Sequence, residues 1–474
     1  MMNPEIFREY DIRGIADTDL TPPVVEALGR SFGDYLILRN RNVRAVAIGY
    51  DARISSPRLC NNLMRGLTAA GINVTVLGLC PTPALYFSLY QLNPGAGIMI
   101  TGSHNPAEFN GFKLCVGTDT MYGEEIQKLR ALLEQNTQKP MVPAKSMGTV
   151  SRSKILPAYR EYLNNQFHCD GQSPLTVVLD AGNGTAGLAA PDIIRNMGCR
   201  VIELFSEPDG RFPHHHPDPT VPGNLSALID TVKKYKADIG IAFDGDSDRI
   251  GVVDETGSIL WGDQLMVIFS RDILKTRPGS LFVSEVKCSQ TMYDDIRNHG
   301  GTAVMWKTGH SLIKAKMKEL QAALAGEMSG HLFFADRYFG YDDAIYAACR
   351  LVEILQQTRK GQASDGSLHT LIADIPKTYA TPEIRFDCPD NIKFHAVEKV
   401  KERFTNGFDL PLQPREVITV DGVRAVFENG WGLIRASNTQ PILVMRFEAN
   451  DMPSLTAIKT MMENQLQSIL SRLQ

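Results

Sequence analysis

The segment Thr101-Gly102-Ser103-His104-Asn105-Pro106 presents a serine hydroxyl at a tight turn directly after the apolar run Ala96 to Ile100. That run reads as a short buried strand, and Asn105-Pro106 forces a turn, so Ser103 should project from a strand end toward solvent or a cleft. A hydroxyl held there can carry a transferable group, although the commonest use of such a residue is to bond backbone within its own turn. His104, and Lys113 in Asn110-Gly111-Phe112-Lys113, can supply positive charge or proton transfer beside it.

Further along, Asp244-Gly245-Asp246-Ser247-Asp248-Arg249 places three carboxylates at alternate positions between the strand-like runs Ala237 to Phe243 and Ile250 to Asp254. In an extended or looped backbone this spacing can turn all three toward one point, and an all-oxygen donor set suits Mg²⁺ better than zinc. An EF-hand loop begins the same way, and Glu255 falls at its twelfth position. Its sixth position, however, requires glycine and carries Arg249, and strands stand where helices should flank it. Aspartates this close repel one another unless a cation neutralises them. Arg249 would then stand beside the ion, available to a phosphate.

Three more segments carry ligand chemistry. Gly326-Glu327-Met328-Ser329-Gly330-His331 offers a carboxylate and a hydroxyl between glycines, which suits sugar hydroxyls approached closely by backbone. Lys287 and Lys307-Thr308-Gly309-His310 follow apolar stretches, so two cations and a possible general base, His310, would lie at strand ends, where open α/β sheets bind ligands. Arg435-Ala436-Ser437-Asn438-Thr439-Gln440-Pro441 combines a guanidinium at Arg435 with the polar side chains of Ser437, Asn438 and Thr439, the donor set a phosphate dianion needs. Two features are read as structural. Gly182-Asn183-Gly184-Thr185-Ala186-Gly187, with Glu203 after the next strand, matches a dinucleotide fingerprint but is read as a tight turn. His214, His215 and His216 sit among prolines in a rigid loop, and adjacent histidines rarely point the same way.

The elements that must position these loops alternate in the α/β manner. An apolar strand leading into a Gly, Asp or Ser turn and then a helix-like stretch recurs at Val43 to Asp51, Leu175 to Gly187 and Leu281 to Ser289. Helical periodicity marks Pro57 to Ala70, Glu124 to Glu134 and Asn224 to Tyr235. The last hundred or so residues differ, with strands at Glu383 to Cys388, Val417 to Asp421, Gly432 to Ala436 and Ile442 to Glu448, and helices at Phe394 to Phe404 and Leu455 to Leu470. Linkers are expected near Ala144 to Ser151, Asp254 to Ser258 and Thr358 to Ser367.

At 474 residues the chain is too long for one core, and about three or four domains with a cleft between them are expected. A hydrophobic content of 43%, 22% charged residues and a net charge of -4 describe an ordinary globular protein with no call on nucleic acid. Cys60, Cys80, Cys115, Cys169, Cys199, Cys288, Cys349 and Cys388 are far apart and read as reduced, mostly buried thiols of a cytoplasmic protein. Met1-Met2-Asn3-Pro4-Glu5 lacks the apolar core of a signal peptide, and no apolar run is long enough to span a bilayer, so neither membrane nor export is expected.

Taken in order, Thr101 to Pro106, Asp244 to Arg249, Gly326 to His331 and Arg435 to Pro441 resemble the α-D-phosphohexomutases over nearly the whole chain. The methionine of Gly326-Glu327-Met328-Ser329-Gly330 and the stretch Met305 to Lys314 resemble the phosphomannomutase/phosphoglucomutase branch. The resemblance implies three similar mixed α/β sheet domains, 1–150, 151–257 and 258–368, and a smaller α+β domain, 369–474, around a central cleft. It implies that Ser103 carries a phosphoryl group and that Asp244, Asp246 and Asp248, completed by Ser103, hold one Mg²⁺. Glu327 and Ser329 would bind sugar hydroxyls, and Arg435, Ser437, Asn438 and Thr439 the phosphate that is not reacting. Tyr10 and Arg13, in Glu9-Tyr10-Asp11-Ile12-Arg13-Gly14, match the family's N-terminal cleft signature, and His104, Lys113, Arg249, Lys287, His310 and His331 its supporting polar residues.

The implied reaction converts hexose 6-phosphate to hexose 1-phosphate through a hexose 1,6-bisphosphate, which also serves as activator. Mannose and glucose are both expected substrates, and the general base is left between His310 and His104. A sugar phosphatase or a non-catalytic sugar-phosphate binding protein is the alternative, and the assembly is expected to be a monomer or weak dimer. One departure from the family is Ser247, where glycine is usual in the metal loop. If that position needs φ > 0, serine costs about 1–2 kcal/mol there.

Overall fold

The computed structural model describes residues 2–473 except 40–42, 44, 138–143, 145, 168–173, 362–365, 407–409 and 439. Four sheets follow one another along the chain. In the first, Asn73–Leu79, Ala45–Tyr50 and Ala96–Ile100 run parallel, and Phe109–Val116 then folds back antiparallel on Ala96–Ile100, setting Met99 opposite Lys113. Ile12–Ile15 pairs with the far side of Phe109–Val116, setting Arg13 opposite Gly111.

The second sheet repeats this plan. Arg200–Leu204, Thr176–Asp180 and Ile239–Phe243 are parallel, and Ile250–Asp254 returns antiparallel on Ile239–Phe243. Both hairpin strands are buried along their whole length, which is why they read as continuous apolar runs without alternation. In the third sheet Thr302–Trp306, Leu281–Glu285 and Leu324–Gly326 are parallel, and Leu332–Phe334 returns on Leu324–Gly326. The serine turn, the aspartate turn and the Glu327 turn therefore occupy the same place in three sheets. Each joins the last parallel strand to its antiparallel neighbour.

The fourth sheet is antiparallel throughout, with Ile442–Ala449 and Gly430–Ala436 at its centre and the helices Asp390–Asn406 and Met452–Leu473 packed on it. One apolar cluster runs continuously through the first three units, taking in Leu85, Tyr159, Leu179, Phe269, Phe334 and Tyr346. The fourth unit has its own core around Phe404, Leu443, Phe447 and Met462. A small cluster, Val286, Trp431 and Leu433, joins it to the third. There the buried Arg424 lies 3.7 Å over the Trp431 ring and donates to the carbonyls of Val286 and Cys288.

Two of the expected linkers are folded into sheets. Val150–Arg152 is a strand parallel to Asn73–Leu79, so the first sheet reaches past residue 150. Asp254 to Ser258 is a hairpin turn, closed by Asp254 Oδ1 accepting from the amides of Thr256 and Ser258, and the following Ile259–Leu260 pairs on Ile250–Asp254. In both cases polar, turn-forming residues conceal backbone that is still needed to complete a ladder. In the third, the helix Ala344–Gly361 continues past Thr358, and 362–365 fall outside the described residues.

Candidate active site

Ser103 is buried and adopts φ +48°, which swings its side chain away from the turn and toward the second unit. Its Oγ donates to Asp244 Oδ2 at 2.8 Å and lies 3.1 Å from His104 Nδ1. The two turns meet backbone to backbone. A Cβ on Gly245 would lie 2.6 Å from the Ser103 carbonyl, so only glycine permits the approach. The dinucleotide-like turn serves the same packing, since a Cβ on Gly184 would lie 2.7 Å from the Gly245 carbonyl. His215 Nε2 bonds Asp180 in the loop behind it, at 3.0 Å from Oδ2.

Asp244, Asp246 and Asp248 are fully buried, and each offers an oxygen within 4.8 Å of the others. Asp246 Oδ1 and Asp248 Oδ1 are buried without a hydrogen-bond partner. Burial first, then repulsion from Asp248 and Asp246, holds the Asp244 carboxyl well above its usual range. Burial acts the same way on Asp248, but Lys113 and His331 outweigh it and hold Asp248 well below. Oxygen-only donors converging on one point, with Asp246 Oδ1 left without a hydrogen-bond partner, make a set that fits a hard divalent cation. Ser247 adopts φ +66°, the strained position anticipated for it, and its hydroxyl lies 2.9 Å from Thr185 Oγ.

The other candidate residues gather around this centre. Lys113 Nζ donates to Asp246 at 2.8 Å and also to Asp248, and these carboxylates overcome burial to raise the ammonium's pKa. Arg249 Nε lies 2.7 Å from His331 Nε2, and the two residues form a β-bridge between the second and third units. His331 also stands 3.3 Å from Asp248 and 3.2 Å from Glu327. Burial disfavours its charged form, yet Asp248 and then Glu327 lift it to about 9. His310 opens the helix His310–Leu320 and is held well below its usual value by burial, Lys314 and His331. His104 is held low by burial, Arg249 and Arg13. In both rings burial and the neighbouring cations favour the neutral form. Glu327 Oε1 accepts from the Gly309 amide at 2.7 Å, which ties the sugar-hydroxyl candidate to the helix start.

Tyr10 and the fourth unit close the other side. Tyr10 OH donates to the Thr308 carbonyl at 2.8 Å and accepts from Asn438 Nδ2 at 2.9 Å. Arg435 is buried, and its Nε donates to Asp421 Oδ2 at 2.9 Å. Ser437 Oγ accepts from the Gln440 amide at 3.2 Å. Lys287 Nζ is held between Glu383, at 3.2 Å, and Glu285, at 3.5 Å. Arg13 donates to Asn105 Oδ1 at 2.8 Å, on the flank of the serine turn. Ser329 is half-buried in the turn between Glu327 and Gly330. Thr439 lies outside the described residues.

Sequence reading missed several residues of this site. Thr82 donates to Asp246 Oδ2 at 2.6 Å from the start of the helix Thr82–Gln91. Asp342, buried, accepts from Lys314 at 2.9 Å and turns its Oδ2 to within 3.8 Å of both His310 and His331. Asp421 accepts from both Arg435 and the Thr308 amide. Thr82 stands between two prolines, Asp342 beside Asp343 and Asp421 before Gly422, patterns of ordinary turns and caps, so their neighbours in space mark them.

The succession of four sheet units agrees with comparisons to known proteins. Four profiles of phosphoglucomutase/phosphomannomutase match in succession: alpha/beta/alpha domain I at residues 4–140, domain II at 157–257, domain III at 261–379 and the C-terminal domain at 383–465. A phosphomannomutase/phosphoglucomutase of Pseudomonas aeruginosa is 44% identical over 468 residues, 99% of this chain and 96% of that protein. A phosphoglucomutase of Neisseria gonorrhoeae is 42% identical over 96% of this chain and 95% of its own length. The crystal structure of a phosphoglucomutase/phosphomannomutase family protein from Burkholderia thailandensis superposes with a TM-score of 0.89 at 36% identity, covering 99% of this chain and 98% of the other. With all four domains matched in order along one polypeptide, the chain belongs to the phosphoglucomutase/phosphomannomutase family.

Proposed function

We propose that the chain is a mutase that interconverts hexose 6-phosphate and hexose 1-phosphate, of mannose and/or glucose, through phospho-Ser103 and a hexose 1,6-bisphosphate. The observation that carries this reading is the bond from Ser103 Oγ to Asp244 across two units, at the rim of a carboxylate cluster in which Asp246 Oδ1 has no hydrogen-bond partner. Family membership favours it over a phosphatase or a non-catalytic binding protein.

In this reading the P–Oγ bond of phospho-Ser103 breaks as a sugar hydroxyl attacks phosphorus, the hydroxyl proton passing to a histidine and a proton passing to the departing Ser103 Oγ. His310 is the candidate on the sugar side, and His104, beside Ser103 Oγ, suits the serine's own proton. The resulting bisphosphate turns around and returns its other phosphoryl to Ser103. Asp244, Asp246 and Asp248, completed by a Ser103 oxygen, would hold one Mg²⁺, which when bound supplies positive charge against the transferring phosphoryl. Lys113 and Arg249 add charge from the protein itself, and such electrostatic positioning is most of what phosphoryl transfer asks of an enzyme. Glu327 and Ser329 would bind sugar hydroxyls. Arg435, Ser437, Asn438 and Thr439, with Lys287, Tyr10, Arg13 and His331 lining the remaining cleft, would hold the distant phosphate.

Each unit contributes one loop, with Val150–Arg152 still in the sheet of the first and Ile259–Leu260 in the sheet of the second. The small apolar joint between the third and fourth units suits closure of the last over bound sugar, excluding water as a competing acceptor. Hexose 1,6-bisphosphate is the activator that restores phospho-Ser103. We expect a monomer or weak dimer with hexose phosphates as its partners. A cytoplasmic location fits the seven described cysteines, all buried and none in a disulfide. Replacing Ser103 by alanine should abolish sugar-phosphate interconversion, and intact mass should show wild-type protein gaining one phosphoryl group from glucose 1,6-bisphosphate. Near-normal turnover in Ser103→Ala sinks the reading.

A further inference from the structure

Beneath the serine turn lies Arg53, only 1% exposed, three residues past the end of the strand Ala45–Tyr50. Its guanidinium donates to four backbone carbonyls of that turn: Nη2 to Ser103 at 2.9 Å and Asn105 at 2.5 Å, Nη1 to Pro106 at 2.5 Å and Phe109 at 2.8 Å. Its Nε donates to Asp51 Oδ2 at 3.2 Å, and the same carboxylate oxygen accepts from the Gly102 amide at 3.1 Å. Asp51 and Arg53 thus act as one planar template, with the carboxylate holding the N–H side of the turn and the guanidinium the carbonyl side.

The template stands where backbone strain is stored. Ser103 adopts φ +48°, a region L-residues with side chains avoid, and it persists only if its surroundings hold it. A Cβ on Gly102 would lie 2.5 Å from both Cζ and Nε of Arg53, so the guanidinium fills the space directly under the residue that leads into Ser103. From the second unit the Phe212 ring covers Arg53 at 5.2 Å, and a Cβ on Gly210 would lie 2.6 Å from its Cα. The first and second units are therefore clamped together at the arginine that shapes the serine turn.

We propose that Arg53 is a positioning residue: it holds Ser103 in the left-handed conformation that aims Oγ at the aspartate cluster, an inference that rests on the phosphoryl-carrier reading of Ser103. Among the described residues all hydrogen bonds of its guanidinium go to the serine turn and to Asp51, and none to a side chain assigned to the sugar. Loss of the template should then slow phosphoryl transfer and leave sugar-phosphate affinity alone. Lysine keeps the charge but offers no planar fork, so it cannot serve four carbonyls at once.

The test compares wild type, Arg53→Lys and Gly102→Ala, the last displacing the guanidinium from the opposite side with every charge retained. Both variants should lose kcat on the order of 100-fold, the scale of a displaced reacting atom, with KM within about threefold of wild type. Both should also acquire phosphoryl on Ser103 from glucose 1,6-bisphosphate more slowly by intact mass. If wild-type Ser103 is never phosphorylated, the underlying reading fails. If wild type is phosphorylated and either folded variant keeps wild-type kcat, or loses kcat only in step with a raised KM, the positioning role falls. Unfolding of Arg53→Lys leaves Gly102→Ala to decide, and unfolding of both would show that the guanidinium holds the unit together instead of aiming the serine, overturning the inference.

Discussion

Lys113 Nζ donates to Asp246 Oδ2 at 2.8 Å and also to Asp248, so a buried ammonium shares the carboxylates that form the candidate cation site. Removing one partner of a buried ionic cluster costs about 3–5 kcal/mol because the remaining charges are left uncompensated. Lys113→Met should therefore melt well below wild type without divalent metal and recover most of the difference in Mg²⁺. Calorimetry with and without MgCl₂ checks this, and equal melting of the two proteins in metal-free buffer would contradict it.

Thr82 fixes the aspartate turn from the first unit twice, its hydroxyl donating to Asp246 Oδ2 at 2.6 Å and its amide to the Asp246 carbonyl at 2.9 Å. A hydrogen bond to a charged group contributes about 1.5–3 kcal/mol. Thr82→Val keeps shape and the amide bond, so the Mg²⁺ concentration for half-maximal activity should rise by roughly tenfold or more. A titration that overlays wild type would mean that the hydroxyl does not orient the carboxylate.

Ser247 combines a positive φ with a hydroxyl contact to Thr185 at 2.9 Å. Glycine would remove a conformational cost of about 1–2 kcal/mol but lose a hydrogen bond contributing about 1 kcal/mol. Alanine would lose the bond and keep the cost. Denaturant unfolding should place Ser247→Gly within about 1 kcal/mol of wild type and Ser247→Ala below both. The reverse order would show that the hydroxyl contact adds nothing.

Asp343 is buried and accepts from Tyr159 OH, Tyr338 OH and the Tyr346 amide, yet burial outweighs these bonds and raises its carboxyl to about 7. A carboxyl whose folded pKa lies above its unfolded one contributes stability that is present at low pH and lost as pH rises through the folded value. The contribution should fade between about pH 4 and 7. Asp343→Asn should flatten the fall in melting temperature over that window, and parallel slopes for the two proteins would rule the effect out.

The chemistry of the site was legible because each of its loops is contiguous. Ser103, the aspartates 244, 246 and 248, Glu327 and Arg435 announce themselves by residue type, by glycine and proline neighbours and by an apolar strand just ahead. The α/β alternation of the first three units and the different character of the last hundred or so residues were legible for the same reason, since hydrophobic periodicity is a local property. Even the strain at Ser247 could be anticipated from the glycine expected there.

Only the tertiary structure decided which distant groups complete those loops. Arg53, Thr82, Asp342 and Asp421 reach the site from separate elements, and nothing in their own neighbourhoods distinguishes them from ordinary caps and turns. The supposed linker at Asp254 to Ser258 became a hairpin because the strand beyond it completes a ladder, a demand that turn-forming residues do not reveal. The equivalence of the three functional hairpins was hidden too, since it lies in which strand pairs with which. The charge states follow the same rule: His310 held low, His331 lifted to about 9 and Asp244 pushed up all depend on burial and on carboxylates and cations brought together from up to three units. Residue type sets what a group can do, and folding sets which charges and how little water surround it.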